Sequence, residues 1–334
     1  MILGAVIDGL KGNTSGVKGR EKRFLVIVLC VCDDIERGRH CRFFCDQIRS
    51  KALNSLQNKI ALHTWTLDTT DLAQVLAVAN PAGYNAMELR HVDFMRARQS
   101  GLSEDGIVDL IERSGMEVGV IGTESGALFE SGDTLARLMD SLHYVCQKAM
   151  RLKCSLIMLS PGQQGTGGMQ RAQKNLKLCA HICADYGLRL CVEFNSRHPI
   201  FRNLTDGVTL VDQVNEPNCG LLVDTYHLHS SGGPISALEQ VPIEKIIHVQ
   251  FSDVPLGPAS DSRMPVDRLP PGHGAVAFVP IFTALMKMGY NGWLSYEAPN
   301  PMQWSREPSV VAEEGIRLVR ALLDTSAHEL GLNR

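Results

Sequence analysis

From residue 59 onward the chain repeats one pattern, a short apolar run followed by an amphipathic stretch. The runs fall at residues 60–63, 86–89, 117–121, 155–159, 188–194, 219–223, 246–251 and 292–296. Between them, apolar residues recur at helical spacing. Leu72, Val75, Leu76 and Ala79 share one face, as do Ile107, Leu110 and Ile111, and Leu135, Leu138, Leu142 and Val145. The same spacing returns around residues 176–183, 204–211, 235–238, 281–288 and 310–322. Gly83, Gly115, Gly187 and Gly289 each stand between a helix and the next strand, where a left-handed C-cap suits glycine. Asp68 and Ser103 are candidate N-caps. Eight strands alternating with about eight helices is the arithmetic of an α/β fold of the (β/α)8 TIM barrel type. A doubly wound open sheet is the alternative. The chain has no G-x-G-x-x-G opening a helix after an early strand and no G-x4-G-K-[ST], so the usual phosphate cradles of open sheets are missing.

Charge divides the chain at the place where this pattern begins. Residues 1–57 hold ten Lys/Arg against six Asp/Glu, whereas residues 58–334 hold 23 against 30. The first 57 residues read as a basic, cysteine-rich N-terminal extension of uncertain structure, outside the barrel that spans 58–334. Cys30, Cys32, His40, Cys41 and Cys45 are zinc-ligand types, but C-x-C and C-x3-C are not the usual paired knuckles. The overall net charge of −3 offers no basic surplus for a nucleic-acid partner. The longest strongly apolar run, residues 24–32, falls short of the roughly 20 residues a bilayer span requires. Asp33 and Asp34 follow it with no small-residue cleavage site, so a soluble cytoplasmic protein without membrane attachment is expected. The later cysteines lie in apolar segments and read as buried thiols.

In such a barrel the chemistry sits at the C-terminal ends of the strands. There the sequence places His63 and Trp65, Glu88 and Arg90, Glu124, Glu193 and Asn195, Asp224 and His227, His248 and Gln250, and Glu297. Carboxylates gathered at one rim repel one another unless a positive charge stands between them. A divalent cation held by Glu193, Asp224, Gln250 and Glu297 is the simplest answer, and oxygen ligands favour Mn²⁺ or Mg²⁺. Each residue also has an ordinary reading. Glu193 could pair with Arg197, Asp224 could cap the next helix, and His248 could fill the barrel interior. Residues 253–274 form a long Pro- and Gly-rich loop after the seventh strand, the kind that binds ligands or closes over them. Arg263 and Arg268 in that loop are candidates for gripping an oxygen-rich substrate.

The segments CVEFNSRHP, LLVDTYHLHSSGG, IIHVQFSDVP, RLPPGHGAVAF and GYNGWLSYEAPNP resemble the xylose-isomerase-like sugar isomerase and epimerase superfamily. The likeness runs from about residue 59 to about residue 323 and leaves out the extension. It implies a divalent metal (Mn²⁺, Mg²⁺ or Co²⁺) on Glu193, Asp224, Gln250 and Glu297. It also implies Glu193 and Glu297 as the catalytic acid–base pair, and His227 on the substrate side. His63, Trp65 and Glu88 are further substrate-binding candidates by their place at the strand ends. His248-Val249-Gln250 resembles the hydroxypyruvate-isomerase branch rather than the H-x-H of the epimerases. The overall look is to proteins that break down inositol derivatives such as rhizopine.

The resulting expectation is an isomerase or epimerase of a sugar, inosose or related polyol-ketone, working through an enediolate. The same site serves an inosose or keto-sugar dehydratase. Two rivals are weaker. A phosphodiesterase of the endonuclease IV type needs more histidine ligands and a DNA-binding surface, and a non-catalytic binding barrel needs a broken ligand set. The partner expected is a small carbohydrate or polyol, with a homo-oligomer allowed by the exposed barrel helices.

Overall fold

The eight apolar runs form eight parallel strands, each hydrogen-bonded to the next, and the last closes on the first. The structure is a computed structural model that describes Leu56 and residues 59–163, 165–257 and 266–332. The strands are β1 (Ile60–His63), β2 (Ala86–Arg90), β3 (Glu117–Gly122), β4 (Leu156–Leu159), β5 (Arg189–Glu193), β6 (Cys219–Asp224), β7 (Ile246–Phe251) and β8 (Leu294–Tyr296). Nearly every strand residue is buried, as a parallel sheet covered on both faces requires. Two apolar clusters result. The larger lies between the sheet and the helices. The smaller gathers Val120, Leu156, Met158, Cys191, Leu222 and Ile247. Side chains two residues apart share a strand face, so this smaller cluster fills the barrel directly below Ser160, Glu193 and Asp224.

The helices are α1 (Leu72–Ala82), α2 (His91–Gln99), α3 (Glu104–Arg113), α4 (Gly132–Arg151), α5 (Gly168–Asp185), α6 (Leu204–Val214), α7 (Thr225–Ser230), α8 (Ile235–Glu239), α9 (Phe278–Met288), α10 (Pro301–Trp304) and α11 (Pro308–Glu329). Gly83, Gly115, Gly187 and Gly289 all have positive φ, as their place between helix and strand requires. Ser103 caps α3 by accepting the Gly106 N–H. The expected cap at Asp68 is corrected. Asp71 caps α1, while Asp68 is drawn off by Arg90 and Arg96, each at 2.8 Å. Helix α2 has no counterpart in the apolar periodicity. It buries only Asp93, Phe94 and Ala97, and Asp93 starts it by accepting the Arg90 N–H at 2.7 Å. Cys146, Cys154, Cys179, Cys183, Cys191 and Cys219 are buried free thiols, as expected.

No helix among the described residues is long and apolar enough to cross a membrane. Of the basic extension only Leu56 is described, buried in the larger apolar cluster; the four cysteines of the extension and Arg263 lie outside the described residues.

Candidate active site

Glu193 ends β5, Asp224 ends β6, Gln250 lies on β7 and Glu297 follows β8, and all four are buried. Asp224 is held from two sides. Its Oδ1 accepts the Tyr226 N–H at 2.9 Å and so caps α7, and its Oδ2 accepts from Arg268 Nη1 at 2.7 Å. The same Nη1 donates to Glu297 Oε2 at 2.6 Å. Arg268 Nη2 faces His227 Nε2 at 3.3 Å, and the guanidinium lies over the Tyr226 ring, 4.7 Å from its centre. The positive charge that the clustered carboxylates demand is therefore supplied here by Arg268, which is 3% exposed.

Arg268 reaches this position because its loop is tied down. Asp253 accepts four backbone N–H groups, from Val254 and Val276 on Oδ1 and from Gly272 and Gly274 on Oδ2, at 2.8–2.9 Å. Asp253 and Leu269 also exchange backbone hydrogen bonds at 2.8 and 3.0 Å. A Cβ on Gly274 would collide with the Val254 carbonyl oxygen and the Asp253 carboxylate, so only glycine fits there.

Below the carboxylates lies a second polar layer. Glu88 accepts from Gln250 Nε2 at 2.9 Å and pairs with His248 Nε2 at 2.8 Å. His63 Nδ1 accepts the Trp65 N–H at 3.0 Å, which puts the proton of the neutral ring on Nε2. That Nε2 faces Glu297 Oε1 at 3.3 Å. Above the layer opens a cavity of about 320 Å³. Glu193, His227, Arg268, Glu297, His63 and Trp65 line it, together with Arg90, Glu124, Ser125, Ser160 and Gln163.

The sequence pattern of the "Xylose isomerase-like TIM barrel" family matches residues 76–322, well over half of the chain. The chain belongs to that family. Among relatives of the xylose isomerase-like barrel described here is an inosose isomerase of Halalkalibacterium halodurans, 32% identical over 146 residues, 42% of this chain and 49% of that protein. An inosose dehydratase of Geobacillus kaustophilus is 31% identical over 135 residues, 37% of this chain and 43% of that protein. The chain thus spans about half the length of the inosose isomerases it matches. A crystal structure of the IOLI protein with a binding zinc atom superposes with a TM-score of 0.73 at 18% identity. It covers 80% of this chain and 98% of that one.

Burial governs the electrostatics of this xylose isomerase-like site. It raises Glu193 well above the carboxylate range, and the charges of Glu297 and Asp224 push it further. Burial also raises Glu297, to about 8, against the pull of Arg268, and raises Asp224. Burial lowers His63 to about 4 and lowers His227 strongly, with Arg268 and Arg197 adding to the latter, so both rings are neutral at pH 7. Glu88 goes the other way. Burial would raise it, but the His248 and His63 imidazoles outweigh burial and hold it to about 2.

The donor set fits a divalent cation. Ligand atoms of Glu193, Asp224 and His227 lie within 4.8 Å of one another. Glu193 Oε1 and Gln250 Oε1 are buried oxygens without a hydrogen-bond partner, an expensive condition that a cation would relieve.

Of the residues singled out in the sequence, Glu193, Glu297, His63, Trp65, His227 and Arg268 line the cavity. Glu88 does not. It is fully enclosed, with its oxygens engaged by His248 and Gln250, so it supports the site from beneath. Glu193 does not take Arg197 as its partner; its near neighbour is His227 Nε2, at 3.8 Å. Two features escaped sequence reasoning. The wall formed by Ser125, Ser160 and Gln163 comes from β3–α4 and β4–α5 loops that carry no apolar signal. The Asp253 clamp works on backbone N–H groups, which every residue but proline has; the one local signal was the run Pro271-Gly272-His273-Gly274.

Proposed function

We propose that this chain is a divalent-metal-dependent isomerase or epimerase of an inosose or a related polyol-ketone, acting by proton transfer next to a carbonyl. The observation that carries this reading is the buried carboxylate set Glu193, Asp224 and Glu297, gathered beside a cavity sized for a six-carbon polyol. Glu193, Asp224, Gln250 and Glu297 would hold the metal (Mn²⁺, Mg²⁺ or Co²⁺). When bound, such an ion supplies Lewis-acid polarisation of a carbonyl and its neighbouring hydroxyl.

The chain's own groups do the rest. Glu193, raised by burial and by its neighbours, is a strong enough base to take the proton alpha to the carbonyl once ionised. The C–H electron pair moves toward the carbonyl oxygen and leaves an enediolate. Glu297, which burial holds at about 8 and therefore protonated at neutral pH, delivers its own proton to the neighbouring carbon or to the other face of the same carbon. In the shift to the neighbouring carbon the substrate's hydroxyl proton passes to the former carbonyl oxygen, and exchange with solvent returns both glutamates to their starting states. Ser125, Ser160 and Glu124 offer acceptors and donors for ring hydroxyls. His63, Trp65 and His227 complete the substrate side. Relatives named inosose isomerase support an inosose as the substrate; on our reading the step belongs to the breakdown of inositol derivatives such as rhizopine.

Loss of a β-hydroxyl from the same enediolate gives dehydration, and the relative named inosose dehydratase favours this second reading. The test is a panel of inososes, ketoses and keto acids offered to chelated and Mn²⁺-reloaded protein, followed by NMR. An isomer formed only after reloading supports the first reading, and an unsaturated product supports the second. Turnover of none of the panel, or equal turnover by the chelated protein, contradicts the metal-dependent reading.

A further inference from the structure

Gln250 differs from its three carboxylate neighbours in having two unlike ends. An amide carries an oxygen on one side and an NH₂ on the other, and only the oxygen suits a hard cation. A carboxylate offers an oxygen whichever way it turns. Glu88 is placed to decide how Gln250 turns. It lies on β2, whereas His248 and Gln250 lie on β7, and β1 and β8 stand between those strands, so the bonds that join them cross the barrel interior. Gln250 Nε2 donates to Glu88 Oε1 at 2.9 Å, and His248 Nε2 lies 2.8 Å from Glu88 Oε2. A carboxylate accepts and does not donate. Both oxygens of Glu88 thus meet a nitrogen. Gln250 cannot turn its oxygen toward Glu88 without setting acceptor against acceptor. Its Oε1 is buried and takes no hydrogen bond from the protein, on the strand next to Asp224, which is the Cα partner of Gln250.

We propose that Glu88 is a positioning residue of the site, which holds the NH₂ end of Gln250 and so keeps Oε1 as the end available to a divalent cation. This rests on the metal reading above. Glu88 is fully enclosed and does not line the cavity, so it acts through Gln250 rather than on the substrate. The loss of a partner that orients a metal ligand typically weakens binding by about 10–100-fold. The role is particular to an amide. A glutamate at position 250 would present an oxygen in either orientation, and Glu88 beside it would only repel. Orientation is thereby set apart from two other ways in which a buried carboxylate helps a metal site. Packing support, and the pull of a negative charge on the ion, both act whether Gln or Glu stands at position 250.

The test is Mn²⁺ titration of chelated full-length protein, with free Mn²⁺ read by electron paramagnetic resonance. The proteins compared are wild type, Glu88→Met, Glu88→Gln, Gln250→Glu, and Gln250→Glu combined with each Glu88 change. Glu88→Met removes both acceptors, and Glu88→Gln lets an N–H face position 250. With Gln250 in place, each Glu88 variant should bind Mn²⁺ about 10–100-fold more weakly than wild type. In the Gln250→Glu background the same changes should leave the Kd unaltered or tighten it. Circular dichroism and Tm report whether each variant is folded. A loss of the same size in both backgrounds overturns the proposal and makes Glu88 a packing or charge support. Equal Mn²⁺ binding by wild type and folded Glu88→Met also overturns it, while the metal reading stands. Should Glu88→Met fail to fold, Glu88→Gln decides by the same comparison. If neither wild type nor Gln250→Glu binds Mn²⁺, Mg²⁺, Co²⁺ or Zn²⁺, the metal reading falls, and this proposal falls with it.

Discussion

A carboxylate serves as a proton carrier when its surroundings hold it near the balance between acid and base. Glu193 is shifted in that direction from the ordinary carboxylate range, since burial and the charges of Glu297 and Asp224 all raise it. Glu193→Gln should therefore cut kcat by about 100-fold or more, within the usual range for a lost general base. Its circular dichroism should match wild type, because an amide removes charge from a crowded cluster. A variant with full activity would remove Glu193 from the chemistry. Asp68 shows the opposite shift. Burial pulls its carboxyl up, but Arg96 and Arg90 outweigh burial and hold it below its ordinary range. A depressed folded pKa gives stability that is present above the unfolded value, near 4, and lost as pH falls through the folded value. The Tm gap between wild type and Asp68→Asn should be open at pH 6 and close as pH is lowered from about 4.5 toward 3. A gap that is unchanged across this range would mean that the ion pair contributes nothing.

At the scale of elements, the return arm of the β7–α9 loop hangs on one carboxylate. Asp253→Ala leaves four backbone N–H groups without their acceptor. Each buried donor left unpaired costs about 1–3 kcal/mol, so the loop should open rather than stay folded unpaired. Limited proteolysis should then cut within residues 253–277 faster than in wild type, with β1–β6 still protected. Helix α11 offers a packing test. A Cβ at Gly315 would strike the Tyr296 ring and the Tyr84 hydroxyl. Gly315→Ala should destabilise by about 1–3 kcal/mol through overpacking, although alanine is the better helix former by roughly 1 kcal/mol. Denaturant melts decide between these two signs. These cases also mark what the sequence made legible. The eight strands were readable because burial on both faces forces continuous apolar runs. Helix α2 was not, since His91–Gln99 buries so little that the Asp93 hydrogen bonds and its neighbours hold it in place. The role of Arg268 was hidden as well, because 44 residues separate it from Asp224 and 29 from Glu297. Only closure of the barrel brings them together.

At the scale of the molecule, closure is the act that makes a site. Glu193, Asp224, Gln250 and Glu297 are spread over 105 residue positions and meet because β5 to β8 are adjacent and end at the same rim of the barrel. The census of strand ends could name these residues but not their partners. It foresaw a positive charge among the carboxylates without foreseeing that the chain carries one of its own in Arg268. It also could not see that Glu88 would be withdrawn beneath the cavity by His248 and Gln250. The central claim is proton transfer next to a carbonyl. Its most direct measurement is the NMR signal of the α-carbon of an inosose held with Mn²⁺-loaded protein in heavy water. The account predicts deuterium at that carbon with wild type and a loss of exchange of about 100-fold or more with Glu193→Gln. Product formed with no solvent deuterium at that carbon, or equal exchange in the variant, would contradict it.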